Sequence, residues 1–525
     1  MKTNFCRIMR LLALRHGQRE ALVNTERGRR YTFAEYHALT NRVANAMRGE
    51  LRLREGDRFY SILENDNLAL LHFPTFFKQE ATAVFTNYRE SFDEHVWQID
   101  FVKPKVVFLE LALLERYAPM LRERDITVVV MDRPEQPQAG VLYFWDLVER
   151  ASDADNEVEL DVHEHTCLLR FTGGTTGRGK CAMYTVDNLM GTRDACYADR
   201  DLEFDDDTRC LHLAPLSHGS LILFIATVFV GGSTVTMNQV DLPRWIDLVQ
   251  AERITHSFLV PTVLYRLLDL QTQQPRDLSS LRTVVYGAAP MSPSKLNALI
   301  AAMGNVFVQG YAATEAAMFV AVLGKRDHLN ADGTPSAYLA TAGRVNPGVE
   351  VYITDENGRP VPVGITGEIR IRCRATIRGY YLNPEGTASE FVDGAWRSGD
   401  LGYIDENGFL TIVDRIKDMI ITGGFNVYAV EVEAALNAHP AVLMAAVVGV
   451  PHEEWGEAVH AEVILREGTS VTEAELIDLV KTRLGSYKAP KSVKFVTTLP
   501  LSPVGKVLRR SVRQTYWVGR DRNVH

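Results

Sequence analysis

Short β-rich runs of this chain lead directly into loops of small and polar residues, and this alternation constrains the fold most. Three such strands are predicted at 167–171 (CLLRF), 283–287 (TVVYG) and 306–310 (VFVQG). Helical patterns separate the β-rich runs over the first three quarters of the sequence, which is typical of α/β layers with much parallel sheet. Because open α/β sheets bind ligands outside the carboxyl ends of their strands, we predict a ligand site at these loops.

The pattern changes after the strand FLTIVD, which ends at Asp414. A chain of 525 residues exceeds the size that one hydrophobic core supports, so at least two domains are expected. Beyond Asp414 come two apolar strands and a helix that Thr472 and Glu475 open as a capping box. We predict an α/β fold: a large N-terminal domain of layered sheets and helices, residues 1–414, and a small α+β C-terminal domain, residues 415–525.

Bulk properties exclude several classes of protein. A net charge of -9 and a pI near 5.9 argue against nucleic acid as a partner, since phosphate backbones are bound by clustered Lys and Arg. The six cysteines lack paired metal spacing, which suits a reducing compartment. We expect no secretory signal and no transmembrane segment, because the apolar run 221–230 is too short to span a bilayer. A cytoplasmic enzyme is predicted, and both a monomer and a homodimer stay open.

The strongest local motif is FTGGTTGRGK, residues 171–180. Its glycines allow backbone N–H groups to face a ligand, while its threonines and Lys180 add donors, as phosphate oxygens require. Two alternatives exist. One is an ordinary turn, and the other is a P-loop NTPase, because 174–180 also fits the Walker A spacing. A P-loop needs Ser or Thr next to bind magnesium, however, and this chain has Cys181.

A second motif, QGYAATEA at 309–316, follows the third predicted strand. Glu315 offers the hard oxygen ligands that magnesium prefers, Thr314 a hydroxyl for phosphate, and Tyr311 a flat face for a base. The alternative is a helix start with Thr314 as its cap and Glu315 in its first turn.

Two further motifs lie toward the end of the chain. WRSGD contains Asp400, which can accept hydrogen bonds from both ribose hydroxyls, and DRIKD contains Arg415, which can donate to ribose or phosphate. Lys506 follows a proline and a glycine in LSPVGKVLRR. Taken separately, each of these charges is typical of a solvated surface.

Taken together and in this order, FTGGTTGRGK, YAATE, WRSGD, DRIKD and PVGK resemble the signature motifs of the adenylate-forming superfamily, which includes acyl-CoA synthetases, aryl-CoA ligases and luciferases. The resemblance covers nearly the whole chain. It implies an ATP-dependent ligase that forms an acyl-adenylate with release of pyrophosphate, and then passes the acyl group to coenzyme A with release of AMP.

The resemblance also implies roles for individual residues. Magnesium would be bound by Glu315, the α-phosphate would lie near Thr314, and Lys506 would bridge the carboxylate and the α-phosphate. The ATP-binding residues implied are Thr172, Gly173, Gly174, Thr175, Thr176, Gly177, Lys180, Gly287, Ala288, Ala289, Tyr311, Asp400 and Arg415. The small domain of such enzymes rotates between the half-reactions, with Lys417 at the hinge position and Gly423 and Gly424 lining the pantetheine tunnel.

The same resemblance limits which acyl acceptor and which acid are expected. The stretch that begins at Asp414 is similar to coenzyme A ligases for fatty and aryl acids, although an acyl-AMP ligase with another acceptor stays open. His218 resembles the residue at the mouth of the acyl pocket and Gly310 its floor, while an ordinary core histidine is the alternative for His218. We expect a hydrophobic monocarboxylic acid: fatty, aryl-alkyl or steroid side-chain. A non-catalytic ligand-binding homologue is the rival of another class.

Two departures from the family pattern lie near the predicted domain boundary. Asp414 stands where glycine is usual, and Ala429 stands where proline is usual. Neither departure removes an expected charge, so catalysis is predicted to be retained.

Overall fold

A computed structural model describes residues 2–172, 179–502 and 505–518. In chain order, its strands are β1 (Lys2–Thr3), β2 (Glu20–Asn24), β3 (Arg29–Thr32), β4 (Arg58–Ile62), β5 (Thr82–Phe85), β6 (Val106–Leu109), β7 (Thr127–Val130), β8 (Val141–Tyr143), β9 (Leu160–Asp161), β10 (Thr166–Phe171), β11 (Cys181–Thr185), β12 (Arg209–His212), β13 (Ser233–Thr236), β14 (His256–Leu259), β15 (Thr283–Gly287), β16 (Phe307–Tyr311), β17 (Ala321–Leu323), β18 (Gly343–Val345), β19 (Glu350–Thr354), β20 (Gly367–Arg372), β21 (Phe391–Val392), β22 (Ala395–Ile404), β23 (Phe409–Arg415), β24 (Ile420–Thr422), β25 (Phe425–Val427), β26 (Val442–His452), β27 (Gly456–Leu465) and β28 (Ser492–Phe495).

Helices alternate with these strands and cover the sheets. They are α1 (Phe5–His16), α2 (Phe33–Gly49), α3 (Asn65–Phe77), α4 (Phe92–Val102), α5 (Leu114–Glu123), α6 (Phe144–Arg150), α7 (Val186–Ala198), α8 (Ser220–Val230), α9 (Leu242–Ala251), α10 (Pro261–Gln273), α11 (Pro293–Met303), α12 (Pro384–Glu390), α13 (Ala429–Asn437), α14 (Glu473–Leu484) and α15 (Arg509–Tyr516). Among the residues that the structure describes, no helix is long and apolar enough to cross a membrane.

Two large sheets form the first part of the chain. One has seven strands in the order β11-β10-β5-β4-β6-β7-β8, and only its edge strand β11 is antiparallel to its neighbour. The other has fourteen strands, with a parallel centre from β2 to β16 and an antiparallel wing from β17 to β23. The predicted mixture of layers with much parallel sheet is therefore confirmed.

Helices fill the space between the two sheets and cover their outer faces. The helices α7 and α8 contribute to apolar clusters against both sheets, so they form the shared central layer. The helices α4 and α5 pack on the far face of the seven-stranded sheet, and α9 to α11 pack on the far face of the other. The apolar run 221–230 lies within the helix α8 and is largely buried, as predicted.

A third, smaller sheet follows the wing. It has five strands, in which β25, β24, β27 and β26 are neighbours and β28 pairs with β27. The helices α13 and α14 pack against it in a separate apolar cluster. The predicted capping box is present, because the Thr472 hydroxyl accepts from the Glu475 N–H and the Glu475 carboxylate accepts from the Thr472 N–H. The division at 414/415 itself stays a prediction.

Two local expectations differ from the structure. The strand predicted at 306–310 lies one residue later, at Phe307–Tyr311, so Tyr311 itself pairs with β17. The alternative that Thr314 caps a helix is wrong, because 312–320 contains no helix and leads into β17. Its backbone is an irregular loop whose atoms contact neighbouring strands instead.

Candidate active site

The carboxyl ends of β15 and β16 form one wall of the candidate site. Gly287 and Gly310 are register partners, and a Cβ on Gly287 would lie 2.3 Å from the Gly310 carbonyl oxygen. Only glycine allows this close backbone approach. Ala288 follows in a left-handed conformation with φ +67°, and it and Ala289 reach the surface at the end of the strand. The predicted small-residue strip thus lies beside Tyr311, which ends the neighbouring strand.

Tyr311, Asp400 and Arg415 form a connected polar group. The Tyr311 hydroxyl donates to the Asp400 carboxylate at 2.6 Å, and the Arg415 guanidinium lies 3.3 Å from the same carboxylate. Pairing of β22 with β23 sets this geometry, since Asp400 and Arg415 are direct register partners. The sequence predicted all three residues in one site, and the fold brings them together.

Burial dominates the electrostatics of this group. It raises the pKa of Asp400, while the charge of Arg415 and the hydrogen bond from Tyr311 oppose the shift. The pKa of Tyr311 is raised well above its ordinary value, mainly by burial. Arg415, Tyr311 and Lys506 all favour the anionic form of Asp400, and a carboxylate of this kind is a strong hydrogen-bond acceptor.

A second polar group surrounds Glu315. The Tyr380 hydroxyl lies 2.8 Å from the Glu315 carboxylate and 2.5 Å from that of Glu390. Lys180 pairs with Glu390, and its ammonium lies 4.7 Å from the centre of the Tyr380 ring. Thr314 is held through its carbonyl oxygen, which accepts from the Tyr184 hydroxyl.

This second group suits magnesium. Burial raises the pKa of Glu315, and the charge of Lys180 opposes that shift. In the described part of the chain, no group of three or more His, Cys, Asp or Glu is placed to hold a metal ion. Magnesium differs from zinc in that one or two carboxylates with phosphates and water are sufficient for it. The residues present therefore fit magnesium that arrives with a nucleotide.

The glycine-rich loop is described at its two ends only. Gly173, Gly174, Thr175, Thr176 and Gly177 lie outside the described residues.

At those ends, the Thr172 N–H donates to the Lys180 carbonyl at 2.7 Å, and the Thr172 hydroxyl accepts from the Lys180 N–H at 3.1 Å. The strand β11 begins directly after Lys180, whereas a P-loop continues into a helix. The P-loop alternative is therefore wrong.

Lys506 belongs to the last part of the chain, which also contains the small sheet, and it lies close to this site. Its loop contacts the large domain where the Thr262 hydroxyl donates to the Gly505 carbonyl at 3.0 Å. Burial lowers the pKa of Lys506 to about 8, with further lowering by the charges of Arg415 and Arg170 and opposition from Asp400. Lys506 is thus an electrostatic neighbour of the Asp400–Arg415 pair, although 91 residues separate it from Arg415 in sequence.

The two residues predicted for the acyl side differ in their surroundings. His218 is half-buried, its Nδ1 lies 2.9 Å from the Ser217 hydroxyl, and burial with the charges of Arg170 and Lys506 lowers its pKa well below the ordinary value. Gly310 faces Phe319, because a Cβ there would lie 2.4 Å from that ring. His218 is therefore a neutral imidazole beside the charged groups, and Gly310 makes room for an aromatic neighbour.

The predicted hinge and tunnel residues lie between and within the sheets. Lys417 is in the connection from β23 to β24, which joins the fourteen-stranded sheet to the small sheet. Gly423 and Gly424 form the two-residue turn between β24 and β25, with φ values of +57° and +82°. Both glycines are exposed, and positive φ at both turn positions is what such a hairpin requires.

Sequence reasoning missed several polar residues of the site: Arg170, Tyr184, Tyr380 and Glu390. Arg170 carried a signal, because it is a charge inside the otherwise apolar run CLLRF. Tyr380 and Glu390 carried none, since only the folded chain brings them to Glu315.

Comparison with known proteins places the chain in a large group of enzymes. The family model described as AMP-binding enzyme matches residues 11–381, and the model described as AMP-binding enzyme C-terminal domain matches residues 431–506. A medium/long-chain-fatty-acid–CoA ligase, FadD8 of Mycobacterium tuberculosis, is 40% identical over 363 residues, which are 68% of this chain and 62% of that ligase.

Two further proteins match over nearly their whole length. The feruloyl-CoA synthase of an Amycolatopsis species is 33% identical over 516 residues, 96% of each chain. The crystal structure of ATP-bound MatB from Rhodopseudomonas palustris is 30% identical, covers 97% of this chain and 99% of its own, and superposes with a TM-score of 0.84. Sequence and fold therefore agree on the same family.

Proposed function

The chain belongs to the AMP-binding enzyme family as an AMP-forming acid–CoA ligase with ATP and coenzyme A as co-substrates, and from this premise we propose that its acid is a hydrophobic monocarboxylic acid. In the first half-reaction a carboxylate oxygen attacks the α-phosphorus of ATP, and pyrophosphate leaves. In the second the coenzyme A sulfur attacks the acyl carbon, AMP leaves, and the thiol proton passes to solvent. Fatty, aryl-alkyl and steroid side-chain acids are all within this class.

One observation supports the proposal most: Lys506, from the end of the chain, shares the electrostatic surroundings of Asp400 and Arg415. Carboxylate and ATP are both anionic, so adenylation needs a cation where charge concentrates in the transition state. We assign that role to Lys506, because an ammonium is a compact point charge. The buried Asp400 and its exposed partner Arg415 would bind the ribose hydroxyls, with Tyr311 beside the adenine.

The phosphate side of the site follows from the second polar group. Thr172, Lys180 and the loop between them would bind the β- and γ-phosphates, and Thr314 would lie near the α-phosphate. Glu315 would hold magnesium, which when bound neutralises charge on the phosphates. Its support is the half-buried Glu315 carboxylate beside Tyr380, with Glu390 and Lys180 within the same group.

The second half-reaction would need a domain rotation. We propose that residues 415–525 turn about Lys417 after adenylation, which withdraws Lys506 and brings the Gly423–Gly424 turn to the coenzyme A path. An exposed hairpin without side chains at its tip suits a narrow thiol arm. A cytoplasmic location and a choice between monomer and homodimer rest on the sequence alone.

Product analysis tests the function. The purified protein is incubated with Mg-ATP, coenzyme A and a panel of octanoate, palmitate, 3-phenylpropanoate, ferulate and cholate, with succinate and alanine as contrasting acids. We expect AMP, pyrophosphate and an acyl-CoA from one or more of the hydrophobic acids, identified by mass spectrometry. Turnover of only succinate or alanine would overturn the acid class, and ADP or no product would overturn the reaction.

A further inference from the structure

Arg170 is a buried cation that the mechanism above does not use. It lies on β10 (Thr166–Phe171), where its neighbours Leu168, Leu169 and Phe171 belong to apolar clusters. Only 9% of its surface is exposed, and its Nε lacks a hydrogen-bond partner. Within residues 2–172, 179–502 and 505–518, no carboxylate forms an ion pair with its guanidinium.

Such a residue is costly to fold without a partner. A buried charge is normally paired, because removal from water is repaid only by a counter-ion or by full hydrogen bonding. The neighbouring loop 173–178 has the sequence GGTTGR, which contains no acidic residue. The guanidinium is therefore suited to an anionic ligand, and arginine binds carboxylates with two parallel hydrogen bonds.

The position of Arg170 indicates which ligand this is. Arg170 is the register partner of Ala182 on β11, and its guanidinium carbon lies 6.0 Å from the centre of the Tyr184 ring. Tyr184 in turn donates to the Thr314 carbonyl, so Arg170 reaches the same cleft as the proposed α-phosphate site.

Two electrostatic effects narrow the position further. The charge of Arg170 lowers the pKa of His218, on the predicted acyl side, and the pKa of Lys506. Two charges lower the pKa of His218, and Arg170 has a larger effect than Lys506. The phosphate-side cation Lys180, in contrast, pairs with Glu390 in the group around Glu315. Arg170 is thus an electrostatic neighbour of both His218 and Lys506, and it lies beside Tyr184 at the proposed α-phosphate site.

We propose that Arg170 binds the reacting carboxylate of the acid substrate and, together with Lys506, holds it for attack on the α-phosphorus. The inference rests on the proposed function and adds a binding residue to it. It also explains why an enzyme that acts on hydrophobic acids has a buried arginine on an apolar strand. The substrate carboxylate would be the ion-pair partner of Arg170, while the rest of the acid would contact apolar side chains.

The test compares Arg170→Met with Arg170→Lys in steady-state pyrophosphate release. The methionine keeps much of the side-chain length without charge, and the lysine keeps the charge without the planar fork. For whichever of octanoate, palmitate and 3-phenylpropanoate the wild type uses, we expect the KM for the acid to rise about tenfold or more in Arg170→Met, as a lost charge-assisted hydrogen bond implies. The KM for ATP should change less than about twofold. The KM of Arg170→Lys for the acid should lie between those of wild type and Arg170→Met.

A neutral analogue provides the matched control. The primary amide of the same acid, used as a competitive inhibitor, should bind wild type and Arg170→Met equally, because it carries no carboxylate. Thermal unfolding without ligands should show Arg170→Met at least as stable as wild type, since a buried unpaired charge has been removed. Equal weakening of the amide and the acid would indicate a packing role and overturn the inference.

Other results would overturn it in different ways. A higher KM for ATP with an unchanged KM for the acid would make Arg170 a phosphate ligand. A loss confined to acids with a second anionic group, such as succinate, would move its partner to the far end of the acid. If the wild type released no pyrophosphate with any acid, the proposed function would fail first and this inference with it.

Discussion

Lys506 keeps its charge against unfavourable surroundings. Burial and two nearby guanidinium groups lower its pKa to about 8, and only the Asp400 carboxylate acts in the other direction. Such conflict between a cation and its site is typical of functional positions, because the anion that resolves it is a ligand. In the proposed reaction that anion is the carboxylate and the α-phosphate of ATP.

A pH dependence follows at the residue scale. Below about pH 8 Lys506 in the free enzyme is protonated and can act; as pH rises through this pKa the cation is lost. The value of kcat/KM for ATP reports groups of the free enzyme, so above about pH 8 it should fall about tenfold per pH unit. Measuring it between pH 6 and 10 on the pyrophosphate release assay checks this, with magnesium held saturating. A flat profile to pH 10 would contradict the assigned role.

The residues of the site differ in how far the sequence could predict them. Tyr311, Asp400, Arg415 and Lys506 lie in motifs whose order identifies them, and the fold brings these four together. The roles of Arg170 and Tyr380 could not be predicted from the sequence. Arg170 stands out because its Nε lacks a hydrogen-bond partner, and Tyr380 because it contacts Glu315, which is distant in sequence. A charge within an apolar strand is the one signal that reasoning from sequence should weigh more heavily.

At the scale of elements, the strand β23 links the nucleotide site to the small domain. Asp414 precedes Arg415 on this strand, and its carboxylate accepts from the N–H groups of Arg415 at 2.8 Å and Ala429 at 2.6 Å. Arg509, on α15, lies 3.3 Å from the same carboxylate and also pairs with Glu433. The two departures from the family pattern, Asp414 for glycine and Ala429 for proline, are therefore in direct contact.

This contact predicts a coupling between the two positions. Proline has no N–H, so Ala429→Pro removes the donor of the hydrogen bond to the Asp414 carboxylate. Asp414→Gly removes the acceptor and leaves the Ala429 N–H without it. Proline itself is compatible with the first position of α13, because Tyr428 before it is extended. We expect Asp414→Gly alone to lower the free energy of unfolding by about 1–3 kcal/mol, and the double variant to lose less than the sum of the two.

Urea unfolding of the wild type, both single variants and the double variant completes the cycle. A coupling of about 0.5 kcal/mol or more supports a compensated pair, whereas additive losses would show that the two departures are independent.

Elements were predicted better than their ends. Periodicity and turn residues predicted the strands β10 and β15 to within one residue and the capped start of α14, because local patterns decide these features. The loop after Tyr311 was open to a helical interpretation, since threonine and glutamate also suit a helix start. Tertiary contacts decided it: the Thr314 carbonyl and the Glu315 carbonyl accept from Tyr184 and from the Ile377 N–H.

At the scale of the molecule, three polar contacts among the described residues join the helices α10 and α11 to the small domain. The Lys295 ammonium, on α11, donates to the Val442 carbonyl at 3.0 Å, and Arg466 pairs with Asp269. The third is the hydrogen bond from Thr262 to the Lys506 loop. Lys295 is only 7% exposed, and burial lowers its pKa to about 8. These contacts stabilise the arrangement in which Lys506 faces Asp400.

Removing the Lys295 contact should affect one half-reaction. Lys295→Met deletes the bond to Val442 and, if this arrangement is the adenylating one, should slow acid-dependent pyrophosphate release by about tenfold, the effect of one lost hydrogen bond to a charged group. Thioester formation from supplied acyl-AMP should be unchanged. The exposed Lys481→Met, on α14, is the matched control and should behave as wild type. Equal slowing of both half-reactions would contradict the assignment of this arrangement to adenylation.

The layered α/β class followed from the alternation of strands and helices, but the arrangement of the sheets did not. Strand order depends on which edges meet: β2, near the start of the chain, pairs with β13, and β10 pairs with β5. Sequence periodicity carries no record of such long-range pairings. The same holds for the contact between α11 and β26, which places the end of the chain against the nucleotide site.

The most direct test of the role of Lys506 separates the two half-reactions in Lys506→Ala. Adenylation is measured as acid-dependent pyrophosphate release from Mg-ATP, and thioester formation is measured as acyl-CoA production from supplied acyl-AMP and coenzyme A. We expect adenylation to fall by about a hundredfold or more, as for loss of a main electrostatic stabiliser, while thioester formation stays within about threefold of wild type. Equal loss of both steps, or normal adenylation, would contradict this role.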